Sequence, residues 1–423
     1  MNGKRRLKMK QLTRLFIPIC LETLFYMLSG MVDTLMLSAV GDYAVGAVGT
    51  ANSYIGIFII MFSIISSGMV SVMTQNIGAG RPGVAYQARQ LGLLFNAVAG
   101  VLMAVFLFSG AGAILRMVGI ADALYEPALI YLKIVGGGCI LNAVIPIFSS
   151  YLRAFGYTKQ PLYATIVGNI ANFVMNAVFL FVLHKGVAGV ATATVISKIL
   201  NLCIVLYFSH KLISAKNSTE RIANKTVLGQ IVKVGLPSAC ETALYNVAMM
   251  LVIRFLNQMD AEGLNVTARS YTATISNFSY CVGAALAQAN AIMTGWHIGA
   301  GELEECDRGT KRAAFVGVCV AVCMETAIVL GSGFIMPLFT DNPEMTALVR
   351  KLLAIDIVLE IGRVTNLVFG QALKTSGDAV FPAVIAAVFM FVFAVGGTWL
   401  FGISMGLMAV GAYIGLASDE CVR

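Results

Sequence analysis

Apolar runs long enough to cross a bilayer recur along this chain almost without pause. The hydrocarbon core asks roughly 20 apolar residues of a helix, and open strands cannot cross it because their backbone groups would stay unpaired. We read twelve such runs, at roughly 14–38, 51–75, 91–114, 127–151, 161–183, 188–209, 231–256, 267–294, 313–336, 348–373, 380–402 and 405–418. The last is short, as it would be if a tail were missing beyond it. Charged residues make up only 12% of the 423, against about 25% in an ordinary soluble domain. The expected fold class is an all-α polytopic membrane protein.

Basic residues set the expected orientation. Lys4, Arg5, Arg6, Lys8, Lys10 and Arg14 precede the first run. Lys211, Lys216, Arg221, Lys225 and Lys233 cluster around the middle of the chain, and Arg308, Lys311 and Arg312 follow the eighth run. With twelve spans these clusters and both termini share one side, which the positive-inside rule makes cytoplasmic. Loops such as "GDYAVGAV" and "FGISMG" carry little or no positive charge. The net charge of +8 is then a topology signal, and no nucleic-acid partner is needed to explain it. The apolar segment behind the basic opening is too long and too acidic for a signal peptide. A multi-pass monomer in the cell (plasma or inner) membrane is expected.

The chain also repeats itself. The polar linker 214–230 divides the runs six and six, giving expected bundles at 1–213 and 231–423. "PICLETLFY" and "PSACETALY" begin at Pro18 and Pro237, 219 residues apart. "NIGAG" and "HIGAG" end at Gly80 and Gly301, and "LRAFGYTKQP" and "LKTSGDAVFP" begin at Leu152 and Leu373, both 221 apart. Six spans is an even number, so both halves enter from the same side and the repeats are parallel. The glycine motifs read as helix ends with tight turns, and Arg153 and Lys374 as cations at helix C-termini. Pro18 and Pro237 are placed to bend or open the first helix of each half.

Within this apolar frame a few acids stand out. The first run carries Glu22 and Asp33, eleven residues apart, hence on one helix face and about 16 Å apart along the axis. A carboxylate at mid-membrane costs roughly 2.5–3.5 kcal/mol on insertion scales, so such residues are functional by default. Glu22 repeats as Glu241, whereas Asp33 does not repeat. Glu22, Tyr26, Glu241 and Tyr245 are candidate substrate contacts; the competing reading leaves each Glu near the interface, bonded to local polar groups. In the tenth run Asp356, Glu360 and Arg363 share one side of a helix, and Glu360 with Arg363 is expected as a structural ion pair.

"MVDTLMLSAVGDYAVGAVG", "TQNIGAG", "LRAFGYTKQP" followed by "GNIANFVMN", and "GVAGVATATVIS" resemble the bacterial MATE family, the multidrug and toxic compound extrusion transporters. The resemblance runs from Pro18 to the closing "LASDECVR". It implies two six-helix bundles facing each other across a cleft, exporting amphipathic, often cationic, organic compounds against inward H⁺ or Na⁺. It assigns cation coupling to Asp33, with partners at Asn172, Asn176 and Thr194. Asn172 and Asn176 are four apart and so share a helix face. Where the family often has a second Asp, this chain has Asn176. The lost charge argues against a tightly held Na⁺ and favours a proton. Arg363 argues against a strong cation site in the second half.

Other readings fit less well. A lipid-linked oligosaccharide flippase of the same superfamily would show a more basic centre than the acids of the first half suggest. A major-facilitator transporter would carry a basic loop after its second span, where "GAGRPG" stands. An intramembrane enzyme would need convergent catalytic groups. The nine cysteines form no CxxC pair, and His184, His210 and His297 fall in no ligand spacing. No enzyme activity, metal or cofactor is expected beyond the coupling ion, and the partners are a small organic substrate and the lipid bilayer.

Overall fold

Lipid leaves a backbone no solvent to bond to, so each apolar run closes its hydrogen bonds within itself. The computed structural model describes residues 2–118, 120–213, 220–259 and 263–423, and among them every regular element is helical. The chain divides into two compact units, Met1–Leu236 and Pro237–Arg423. In the first lie α1 (Asn2–Ser38), α2 (Asp42–Gly78), α3 (Pro82–Val118), α4 (Asp122–Gly137), α5 (Cys139–Ala154), α6 (Lys159–Ala177) and α7 (Gly186–Leu212). Helix α8 (Asn224–Met259) contains the division. The second unit continues with α9 (Leu264–Gly299), α10 (Leu303–Ile335), α11 (Pro343–Ser376), α12 (Val380–Phe389) and α13 (Met408–Val422). Residues 214–219 of the expected linker lie outside the described residues, and its last residues already belong to α8.

Helices α4 and α5 together fill the fourth expected run. They meet at 42°, where Gly136, Gly137 and Gly138 follow one another and weaken the helix. Counting that pair once gives twelve spans among the described residues, six before the linker and six after. Pro18, by contrast, does not break α1. A proline strips the bond to the carbonyl four residues back, here Arg14, and the Thr158 hydroxyl reaches that oxygen at 3.5 Å.

The repeats agree in backbone detail. Gly80 and Gly301 take the left-handed conformation at φ 73° and 74°, ending α2 and α9. The next amide in each reaches back five residues, Arg81 to Asn76 and Glu302 to His297, both at 2.8 Å. Gly156 and Gly377 end α5 and α11 in the same way. A further echo is invisible in the letters. The fifth span of each half finishes in π-helix, at Val178–Val182 and Thr398–Ser404, before a turn with two left-handed residues. In the first half these are His184 and Gly186, in the second Gly406 and Met408, so the glycine has changed places within one conserved turn.

Not every span is apolar enough to be recognised by hydropathy. Eight helices pass by length and composition, and a ninth if α4 and α5 count together. The exceptions are α9, α11 and α13, the last because its 15 residues are too few. All three belong to the second unit, where α11 packs against α9, α10 and α13. Lipid-facing helices must be oily, whereas helices shielded by neighbours can carry Thr272, Ser276, Asn290, Asp356 and Glu360 buried among them. At Gly362 of α11, a Cβ atom would lie 2.4 Å from the Glu420 backbone, so the close approach of α13 requires glycine there.

Candidate functional site

In the first unit, α6 turns a polar stripe toward α1. Asn169, Asn172 and Asn176 recur at helical spacing, and the Asn169 amide donates to the Phe25 carbonyl at 2.9 Å. Two turns further along, Asn176 Nδ2 donates to Asp33 Oδ1 at 2.8 Å and to Asn172 Oδ1 at 3.1 Å. Asn172 and Asn176 are buried, Asp33 half-buried. Three of the four expected residues thus form one hydrogen-bonded chain. The fourth, Thr194 of α7, donates to its own Val190 carbonyl at 2.9 Å. It comes near the others through Tyr131 of α4, whose phenol lies close to Asn52, Thr194 and Asp33.

Four members of this site escape a reading of the sequence: Asn52, Tyr131, Asn142 and Lys198. Lys198 is the most consequential, a cation on α7 one turn beyond Thr194 and within coulombic reach of Asp33. Its Nζ donates to Asn142 Oδ1 at 2.8 Å. A lysine inside "VISKIL" was itself a signal, because ionisable groups within spans are rare. The mid-membrane charge of the first half is therefore mixed rather than purely acidic.

The two glutamates and the two motif cations turn out to be partners. Arg153 pairs with Glu22 at 2.6 Å and Lys374 with Glu241 at 2.7 Å. Each pair ties the first helix of its half to the helix ending in the Leu-Arg or Leu-Lys motif. The arginine and lysine thus meet a carboxylate besides the helix C-terminus expected of them. Tyr26 and Tyr245 are 70% and 47% exposed, Tyr26 near Asp33 and Tyr245 near Arg363.

In the second unit Glu360 and Arg363 form the expected ion pair on α11. Asp356 accompanies them, and Glu325 of α10 joins from across the helix contact. One carboxylate oxygen from each of Glu325, Asp356 and Glu360 falls within 4.8 Å of the others, and all three are buried. Among the described residues neither oxygen of Glu325 has a hydrogen-bond partner. The Arg363 guanidinium also reaches toward Glu420 at 4.0 Å, and Arg423 pairs with that same glutamate at 2.6 Å. Asn366 fixes the end of α13 by donating to the Glu420 carbonyl at 2.7 Å. Glu325 was legible as a lone acid in "VCVAVCMETAIVLG", but nothing local ties it to the tenth span.

Comparison with known proteins gives this architecture its place. The MatE family model matches residues 18–178 and 237–413, one segment in each half. The chain is 32% identical to the uncharacterized transporter YisQ of Bacillus subtilis (strain 168), over 96% of this chain and 90% of that protein. It is 21% identical to the probable multidrug resistance protein NorM of Thermotoga maritima, over 98% of this chain and 90% of that one. An outward-facing multidrug resistance MATE family transporter of the MOP superfamily superposes with a TM-score of 0.87 at 21% identity, covering 98% and 93% of the two chains. Family model, relatives and fold agree, and the chain belongs to the MatE family of membrane transporters.

Proposed function

We propose that this transporter is a secondary active antiporter that exports amphipathic, often cationic, organic compounds against an inward flow of H⁺ or Na⁺. The observation that carries the reading is the chain from Asp33 through Asn176 to Asn172, at 2.8 and 3.1 Å, on the residues to which the family resemblance assigns coupling. A half-buried carboxylate held by neutral amides changes charge when it takes a cation. That change is what lets an ion gradient bias two conformations, since a ligand with equal affinity for both shifts neither. Glu22 and Glu241 attract cationic substrates in this reading, although each already has a cation as partner. In this reading both termini are cytoplasmic, an orientation that the positive-inside rule supports, and the protein works as a monomer in the plasma or inner membrane.

The direct test is export of a fluorescent organic cation in inverted vesicles, with pH and Na⁺ gradients imposed separately. Accumulation driven by either gradient is the expected result. Movement that ignores both gradients would overturn it. A second reading, transport of an anionic lipid-linked substrate, gains support from the mid-membrane cations Lys198 and Arg363. It predicts that the fluorescent cation is not moved and that lipid-linked pyrophosphate binds instead.

A further inference from the structure

The site around Asp33 holds a cation of its own. Lys198 lies four residues after Thr194 and therefore on the same face of α7. Tyr26 and Tyr131 lie beside the acid Asp33, while Cys139 and Asn142 border the lysine. A Na⁺ ion entering here would need several oxygen ligands besides Asp33. Two of the nearby amide oxygens are engaged by N–H donors. Asn172 Oδ1 accepts from Asn176 at 3.1 Å, and Asn142 Oδ1 accepts from Lys198 at 2.8 Å. Asn176 turns its NH₂, not its oxygen, toward Asp33, and that buried oxygen has no hydrogen-bond partner among the described residues. A proton needs none of these oxygens, because it bonds to the carboxylate alone.

We propose that Lys198 is the specificity-determining residue of this site: a cation tethered to α7 that supplies Asp33 with its counter-charge and excludes Na⁺. It repels a second cation in a medium of low dielectric, and its ammonium is held in place by the Asn142 oxygen at 2.8 Å. Tethering matters as well, since an ammonium on the same chain competes at a high effective concentration whatever the Na⁺ level outside. The inference rests on the reading of Asp33 as the coupling acid.

The test measures ion binding on the purified full-length protein, comparing melting temperatures in NaCl and in choline chloride at equal ionic strength. The wild type should not distinguish the two salts. Lys198→Met, which keeps the length and loses the charge, should melt roughly 2–4 °C higher in NaCl, the shift expected of a ligand that binds only the folded state. Adding Asp33→Asn to that variant should abolish the shift. The proposal is overturned if the wild type responds to Na⁺ as strongly as the variant. It is equally overturned if folded Lys198→Met ignores Na⁺, or if the shift survives Asp33→Asn. Should Lys198→Met fail to fold, Lys198→Gln takes its place. If neither folds, a Na⁺ response of the wild type that Asp33→Asn removes overturns the proposal, and indifference to Na⁺ upholds it. Failure of the export reading would look different: neither protein would move substrate in vesicles, while the gained Na⁺ response would remain.

Discussion

In the first unit one acid, Asp33, is held by the amide of Asn176 with a lysine standing off from it. In the second, Glu325, Asp356 and Glu360 crowd within 4.8 Å of one another, with Arg363 bonded directly to one of them. The surrounding frames are nearly the same. Both halves carry the left-handed glycine turns, the π-helical fifth span and the tie from first helix to motif cation. The two halves thus share the backbone and these ion pairs, while their interior charges differ. The difference suits two tasks. An acid among neutral amides can exchange its cation at small structural cost. A buried acid bonded to a guanidinium cannot lose its partner without leaving a charge stranded in the interior.

The sharpest way to break this comparison is at Asp33. Asp33→Asn should abolish gradient-driven export in vesicles while the protein still folds and binds substrate, because the amide keeps the hydrogen-bonding shape and loses the titrating charge. Full drug resistance from a well-expressed Asn variant would remove the first unit's claim to coupling. The next largest effect belongs to the second unit. Arg363→Ala should lower stability by about 3–5 kcal/mol, read as a fall in melting temperature and in folded protein, because Glu360 is left buried and unpaired. Normal stability with lost transport would move the coupling role into that cluster.

Smaller effects sharpen the picture. Gly362→Ala should cost about 1–3 kcal/mol by overpacking against the Glu420 backbone, and it should loosen α13 from Arg363 and Asn366. Unchanged melting would mean that α13 shifts freely and that the Glu420 contacts hold little together. The mildest test concerns the matched pairs. Glu22→Gln and Glu241→Gln should each weaken export of cationic substrates a few-fold more than that of neutral ones, since only the cations gain Coulomb energy. Equal losses for both substrate classes would leave the glutamates as ties to Arg153 and Lys374 and nothing more.

What the sequence determined by itself is whatever a helix decides within a few residues. Spans follow from apolar length, the Asn172–Asn176 step and the Glu360–Arg363 pair from helical spacing, and the turns at Gly80 and Gly301 from the need for a left-handed residue. The repeat was legible because its motifs kept their order and offset. What only the tertiary structure decided is which distant faces meet. Glu22 finds Arg153, Glu241 finds Lys374, Glu325 joins the α11 acids, and Lys198 and Tyr131 arrive beside Asp33. Most spans are apolar on every side because lipid, unlike water, does not require a polar face. Their sequences therefore carry little record of which side turns inward. Packing supplies that rotation, and with it the company that each buried charge keeps.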